Sequence, residues 1–125
     1  MPFDWSEYLA LARSLQKQTP EGVTRAAALR CAVSRAYYAA FGHALNYAVA
    51  HMGFKPRHDP EDHGRLREAF KAKRYSTFAN LGKIRGWRNQ CDYDDDDSVE
   101  LDAMLTGAIA AVEAIVRDLP PPRPS

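Results

Sequence analysis

Residues 24–52 read TRAAALRCAVSRAYYAAFGHALNYAVAHM, with no proline and one interior glycine, Gly42. Leu29, Val33, Tyr37, Phe41, Leu45 and Ala48 recur along it at a helical period. The alanines between them favour a helix intrinsically and let a second one come close. One long central helix from about Thr24 to Met52 follows, and the rest of the chain reads outward from it.

On the N-terminal side, Thr19-Pro20-Glu21-Gly22 interrupts the pattern. Thr19 is expected to cap the next helix, with Pro20 at its first position, where a missing N–H costs nothing. Earlier still, Asp4 and Glu7 form a capping box, with Phe3 and Tyr8 placed for a hydrophobic staple. Trp5, Tyr8, Ala12 and Leu15 give the first helix its apolar stripe.

On the C-terminal side, Gly53 to Asp62 is a loop with two prolines, ending in an Asp59-Pro60 start signal. A third helix turns Leu66, Ala69 and Phe70 inward and fades near Tyr75. Gly82 and Gly86 punctuate a shorter fourth segment, in which Leu81, Ile84, Arg88 and Cys91 share a face. Asp92 to Asp97 reads as a turn too charged to bury, and Asp97 with Glu100 as a second capping box. Leu101, Leu105, Ala108, Val112, Ile115 and Leu119 form the last stripe before Pro120-Pro121-Pro122 stops it. Nothing reads as a strand. The expected fold is all-α: an antiparallel up-and-down bundle of four to five helices in a single domain over 1–119, with 120–125 a disordered Pro-rich tail.

The chain's 125 residues, 46% hydrophobic and 26% charged, suit one globular core and exclude disordered and collagen-like classes. Met1-Pro2-Phe3-Asp4-Trp5 lacks the basic start and apolar run of a signal peptide, and no stretch is long and apolar enough to span a membrane. Cys31 and Cys91 form neither a metal spacing nor a disulfide framework. The expectation is a protein of the reducing cytoplasm, with no membrane partner.

The net charge of +1 hides segregation. Arg65, Arg67, Lys71, Lys73, Arg74, Lys83, Arg85 and Arg88 accumulate against a single acid, Glu68, whereas seven acids and no base lie between Asp92 and Asp102. The basic stretch reads either as a face for phosphate backbones or as a solvated face cancelled by the acidic turn beside it. The run from Asp92 to Asp97 fails the calcium-loop template: its sixth position is Asp97 instead of glycine and its twelfth is Ala103 instead of glutamate. His43 and His51 are two turns apart on one helix, and no Cys/His cluster exists. No metal or cofactor is expected. His63, in the first turn of a helix beside the basic segment, is the histidine singled out.

Two segments carry a family resemblance: Ser34-Arg35-Ala36-Tyr37-Tyr38-Ala39-Ala40-Phe41 and Arg85-Gly86-Trp87-Arg88-Asn89-Gln90-Cys91-Asp92-Tyr93. Together they resemble the HEPN superfamily, in which a helix of the first type precedes an Arg-Asn motif. Asp62-His63-Gly64 to Phe70 is similar to the His-containing third helix of some branches. The resemblance implies a helical bundle that dimerises, whose active members are metal-independent endoribonucleases, often of toxin–antitoxin or defence pairs. In them an Arg, a polar neighbour and a His four to six positions on meet their symmetry mates in a dimer cleft.

That chemistry makes physical sense. RNA carries its own nucleophile, the 2′-hydroxyl, so a site needs only a fixed cation for the phosphate and a group that moves protons. Carried over by position, Arg88 takes the Arg and Asn89 the polar neighbour, while Tyr93 stands where the His would be. Tyr ordinarily titrates near ~10 and is a poor proton shuttle at neutral pH. The implied catalytic set is therefore Arg88 and Asn89 with His63 or Tyr93 substituting for the missing His. Arg85, Lys83, Arg35 and Arg74 are the expected RNA contacts, and Tyr38 and Gly42 the expected dimer seam. A second reading is a non-catalytic dimer paired with a nucleotidyltransferase partner, for which Tyr93 would be an acceptor. A third is structural, with Arg35 and Arg88 pairing with Asp92 or Asp94, and with Tyr37 an ordinary core aromatic.

Overall fold

A computed structural model describes residues 3–96 and 99–120. The expected Asp97–Glu100 capping box and most of the Pro-rich tail lie outside the described residues. Within them are five helices and no strand: α1 (Ser6–Lys17), α2 (Arg25–His51), α3 (Asp62–Lys71), α4 (Tyr75–Tyr93) and α5 (Leu101–Asp118). None of these is long and apolar enough to cross a membrane.

The central helix α2 is the hub, and all four other helices pack on it. At 27 residues it is about 40 Å long. Ala28, Ala32, Ala36, Ala40, Ala44 and Ala48 are all buried and repeat every four residues. They form a ridge of methyl groups that permits close helix contact. Beside this ridge run Leu29, Val33 and Tyr37, also buried, with Phe41 and Leu45 partly covered. The apolar stripe legible in the sequence is thus half of what α2 buries. Leu9 and Ala12 of α1, Leu66 and Phe70 of α3, Leu81 and Ile84 of α4, and Leu105, Val112 and Ile115 of α5 complete one core.

The ends of the helices correct several expectations. Thr19 and Pro20 do not start α2; Thr24 does, its hydroxyl accepting from the Ala27 N–H at 3.1 Å, and Gly22 turns the preceding loop at φ 78°. Proline fixes its own φ but not its neighbours', and a β-region Thr immediately before the first helical residue, Arg25, is the better cap. At α1 the Asp4 carboxylate accepts from the Ser6 N–H at 3.0 Å and the Ser6 hydroxyl at 2.6 Å, so the serine takes the place expected of Glu7. The Phe3–Tyr8 staple is present, with ring centroids 5.1 Å apart.

The fourth helix is not short. It runs unbroken through Gly82 and Gly86 and includes Asp92 and Tyr93, which the sequence placed in a turn. Gly82 has a packing reason: a Cβ there would lie 2.5 Å from an Arg67 Nη atom. Cys31 is exposed, Cys91 is buried, and both are free thiols.

Candidate active site

The last two turns of α4 carry Arg88, Asn89, Asp92 and Tyr93. The middle of α2 brings Ser34, Tyr37, Tyr38 and Phe41 against them, and the first turn of α3 adds Asp62 and His63. Between these elements is a cleft of about 510 Å³ whose lining includes Tyr38, His63, Arg85, Arg88 and Tyr93.

Arg88 is at its centre, with only 14% of its side chain exposed. Its Nε donates to Asp92 Oδ2 at 3.1 Å and Nη1 to Asn89 Oδ1 at 2.8 Å. Nη2 donates to the Tyr38 hydroxyl at 2.9 Å and reaches the Tyr93 hydroxyl at 3.4 Å. The guanidinium also lies 5.4–5.7 Å from the ring centroids of Tyr37, Tyr38 and Tyr93. Asp92 is steadied from α2 by the Ser34 hydroxyl at 3.2 Å. The partners of Nη1 and Nη2 are neutral side-chain oxygens, whereas Nε is committed to the Asp92 carboxylate.

His63 is held by stacking and by one hydrogen bond. Its ring stacks on Phe41 at 4.2 Å and 20°, and Nδ1 meets the Tyr37 hydroxyl. Burial lowers the imidazole pKa, the positive charges of Arg85 and Arg88 lower it further, and Asp62 opposes them. His63 is therefore neutral near pH 7. Burial, against the pull of Arg85 and Arg88, pushes the Tyr37 phenol far above its ordinary range and keeps it protonated. Tyr37 is thus core and site at once.

The adjacent Asp62 is buried and accepts from the Arg57 and His58 N–H groups and from Arg65 Nη1 at 2.7 Å. Burial alone would raise its carboxyl, but these donors hold it below the ordinary value. Asp62 thereby ties the 53–61 loop to the start of α3, where His63 follows. In that loop His58 adopts a left-handed φ of 60°, a position few non-glycine residues take.

The structure brings together Arg88, Asn89, Tyr93 and His63, the four expected catalytic residues, with Arg85 on the same cleft. Arg35 is close by, its guanidinium 5.0 Å from the Tyr38 and Tyr8 rings, and it does not reach Asp92 or Asp94 in the way the structural reading expected. Two other expected RNA contacts stand elsewhere. Lys83 sits 5.9 Å from the Trp87 ring, about 140° around α4 from Arg88. Arg74 donates to the Asp118 carbonyl and the Tyr47 hydroxyl, each at 2.9 Å, and so closes the end of α5. Tyr38, expected at a dimer seam, is a partner of Arg88. The space at Gly42 is filled from within the chain, since a Cβ there would fall 2.1 Å from the Trp5 ring.

Sequence reading missed Arg30. Its guanidinium donates to the carbonyls of Cys91 at 3.0 Å and Asp96 at 2.9 Å, and to those of Gln90 and Asp94. It therefore satisfies the orphan acceptors at the end of α4. An arginine within the alanine-rich first half of a long helix was the one available signal, because its partners lie about sixty positions away.

Searches against protein-family models, curated proteins and solved structures found no match to this chain.

Proposed function

We propose that the chain is an RNA-directed protein of HEPN type, an antiparallel bundle that works as a homodimer in the cytoplasm, and that its Arg88 cleft cleaves RNA without a metal. The observation that carries this reading is the convergence of Arg88, Arg85, His63 and Tyr93 on one cleft, although His63 is 25 residues before Arg88 in the chain. A phosphodiester displaces the neutral oxygens from the Arg88 Nη groups, and Arg85 adds a second cation. Neutral His63 accepts the 2′-hydroxyl proton, and the 2′-oxygen attacks phosphorus. The 5′-oxygen leaves with a proton from Tyr93 or water, which gives a 2′,3′-cyclic phosphate and a 5′-hydroxyl. His63 thus fills the role that Tyr93 leaves open in the Arg-Asn motif. The setting implied by the sequence resemblance is a toxin–antitoxin or defence pair.

The test uses end-labelled single-stranded RNA and tRNA in EDTA, with Arg88→Ala as the control for contaminating ribonucleases. Cleavage with cyclic-phosphate ends by the native protein alone is expected. Equal cleavage by both proteins, or by neither, removes the catalytic reading.

One observation favours a second reading. Tyr93 is 76% exposed at the rim of the cleft, an accessible hydroxyl beside a phosphate-binding arginine. A non-catalytic dimer whose Tyr93 accepts a nucleotidyl group from a transferase partner would look the same. Incubation with that partner and ATP would then raise the intact mass by one nucleotidyl group, and Tyr93→Phe would not gain it.

A further inference from the structure

The Arg88 cleft does not end at Arg85. Arg85 and Pro60 also line a second, more open cleft of about 850 Å³ on the other side of Gly64. Gly64 presents no side chain between them, and an added Cβ would sit 4.0 Å from the Arg85 guanidinium. Arg65, Arg67 and Arg85 line the larger cleft against two carboxylates, Glu61 and Glu68.

Beyond it the same seam continues. Tyr75, Phe78, Gly82, Arg85 and Asn89 follow one another on α4 at spacings of three and four, hence on one face. The Arg67 guanidinium lies 3.8 Å from the Phe78 centroid and is anchored by its Nε to the Phe78 carbonyl, while Lys71 Nζ is 5.5 Å from the same ring. Tyr75 packs at 5.3 Å on Phe78 yet is 65% exposed, a flat aromatic face open to solvent at the far end.

We propose that the α3–α4 seam is a track for single-stranded RNA, leading from the Arg88 cleft past Arg85 and Arg67 to a base-stacking platform at Tyr75. This extends the ribonuclease reading and rests on it. From Tyr75 to Arg88 is thirteen residues of helix, about 20 Å, so the track holds several nucleotides. The combination of a cationic groove with exposed aromatic faces suits single strands, whose bases are free to stack, and not a duplex, whose bases are already stacked. Charge complementarity and the open ring at Tyr75 both choose this occupant over an apolar one.

The experiment is fluorescence anisotropy with a 2′-O-methyl twelve-nucleotide strand, which binds without being cleaved, beside a dinucleotide too short to span the track. Tyr75→Ala and Lys71→Gln alter exposed side chains, and circular dichroism confirms that both variants remain folded. Tyr75→Ala is expected to weaken the twelve-mer about tenfold and leave the dinucleotide unchanged, as the loss of one stacked base implies. Lys71→Gln should lower the slope of log affinity against log salt by about 0.7. If the variants hold the twelve-mer as tightly as the native protein while Arg88→Ala weakens it, the track is wrong and the Arg88 reading stands. If the native protein binds neither probe, both fall. Tighter binding of oligo-glutamate, lost in the same variants, would assign the seam to an acidic peptide and overturn the RNA assignment.

Discussion

Two arginines flank the last turn of α4, and they do opposite things. Arg30, from α2, directs its donors at backbone carbonyls of residues 90–96, groups that exist only to be satisfied. Arg88, from α4 itself, directs its donors at a carboxylate, an amide and two phenols around a cleft. A guanidinium committed to main-chain acceptors is a fastener, because removing it strands helix-end groups. A guanidinium held by side-chain oxygens around a cleft is, on the proposed reading, one whose hydroxyl and amide partners a phosphate would replace. The charge and the residue type are the same; the partners differ, main-chain carbonyls for one and side-chain oxygens at a cleft for the other.

The largest effect that would break this comparison is on turnover. Arg88→Ala is expected to lower RNA cleavage by about 10²- to 10³-fold, the usual cost of losing one fixed donor to a developing anion. Single-turnover assays on the folded variant would measure it, and a loss under tenfold would make Arg88 a second fastener. Arg30→Ala should do the reverse. Losing these bonds is expected to cost about 1 kcal/mol in urea unfolding, since water can take over at the exposed Asp94 and Asp96 carbonyls, with cleavage per folded molecule unchanged.

How far these roles were legible in the sequence depends on range. Helix identity is a local property, and the periods of Leu29–Ala48 and Leu101–Leu119 showed α2 and α5 directly. The length of α4 was misread because Gly82 and Gly86 look like punctuation. Only the Arg67 side chain lying on Gly82 explains the first of them, and that contact comes from another helix. The candidate site was half legible. Arg88, Asn89 and Tyr93 sit within one and a half turns, so a motif can hold them. The joining of His63 to that motif depends on α3 docking beside α2. The Arg30 clamp and the Tyr37 hydroxyl were invisible because an alanine-rich helix face advertises packing, and both residues use it for polar work.

A middle-sized effect sharpens the role of His63. Its folded pKa is below the ordinary 6.5, so the unfolded chain binds more protons in the window just under that value. Stability therefore falls as pH drops below 6.5, and His63→Gln flattens that part of the profile. Cleavage should fall over the same direction of pH, as the base becomes protonated. A stability profile that His63→Gln leaves unchanged would count against a buried neutral imidazole. The smallest effect is a null: Lys83→Gln, over Trp87 and away from the cleft, is expected to change twelve-mer binding by less than about twofold beyond ordinary screening. A larger loss would move the RNA path to the opposite side of α4.

The tryptophans rest on glycines of neighbouring helices. Trp5 occupies the gap at Gly42 of α2, and Trp87 Cη2 comes within 2.9 Å of where a Cβ on Gly107 of α5 would stand. Each indole is therefore an optical gauge of one seam, the first for α1 on α2 and the second for α4 on α5. Single-tryptophan versions of the protein would report by emission shift whether the five helices melt together, or whether α1 lifts away while the wall of the cleft remains standing.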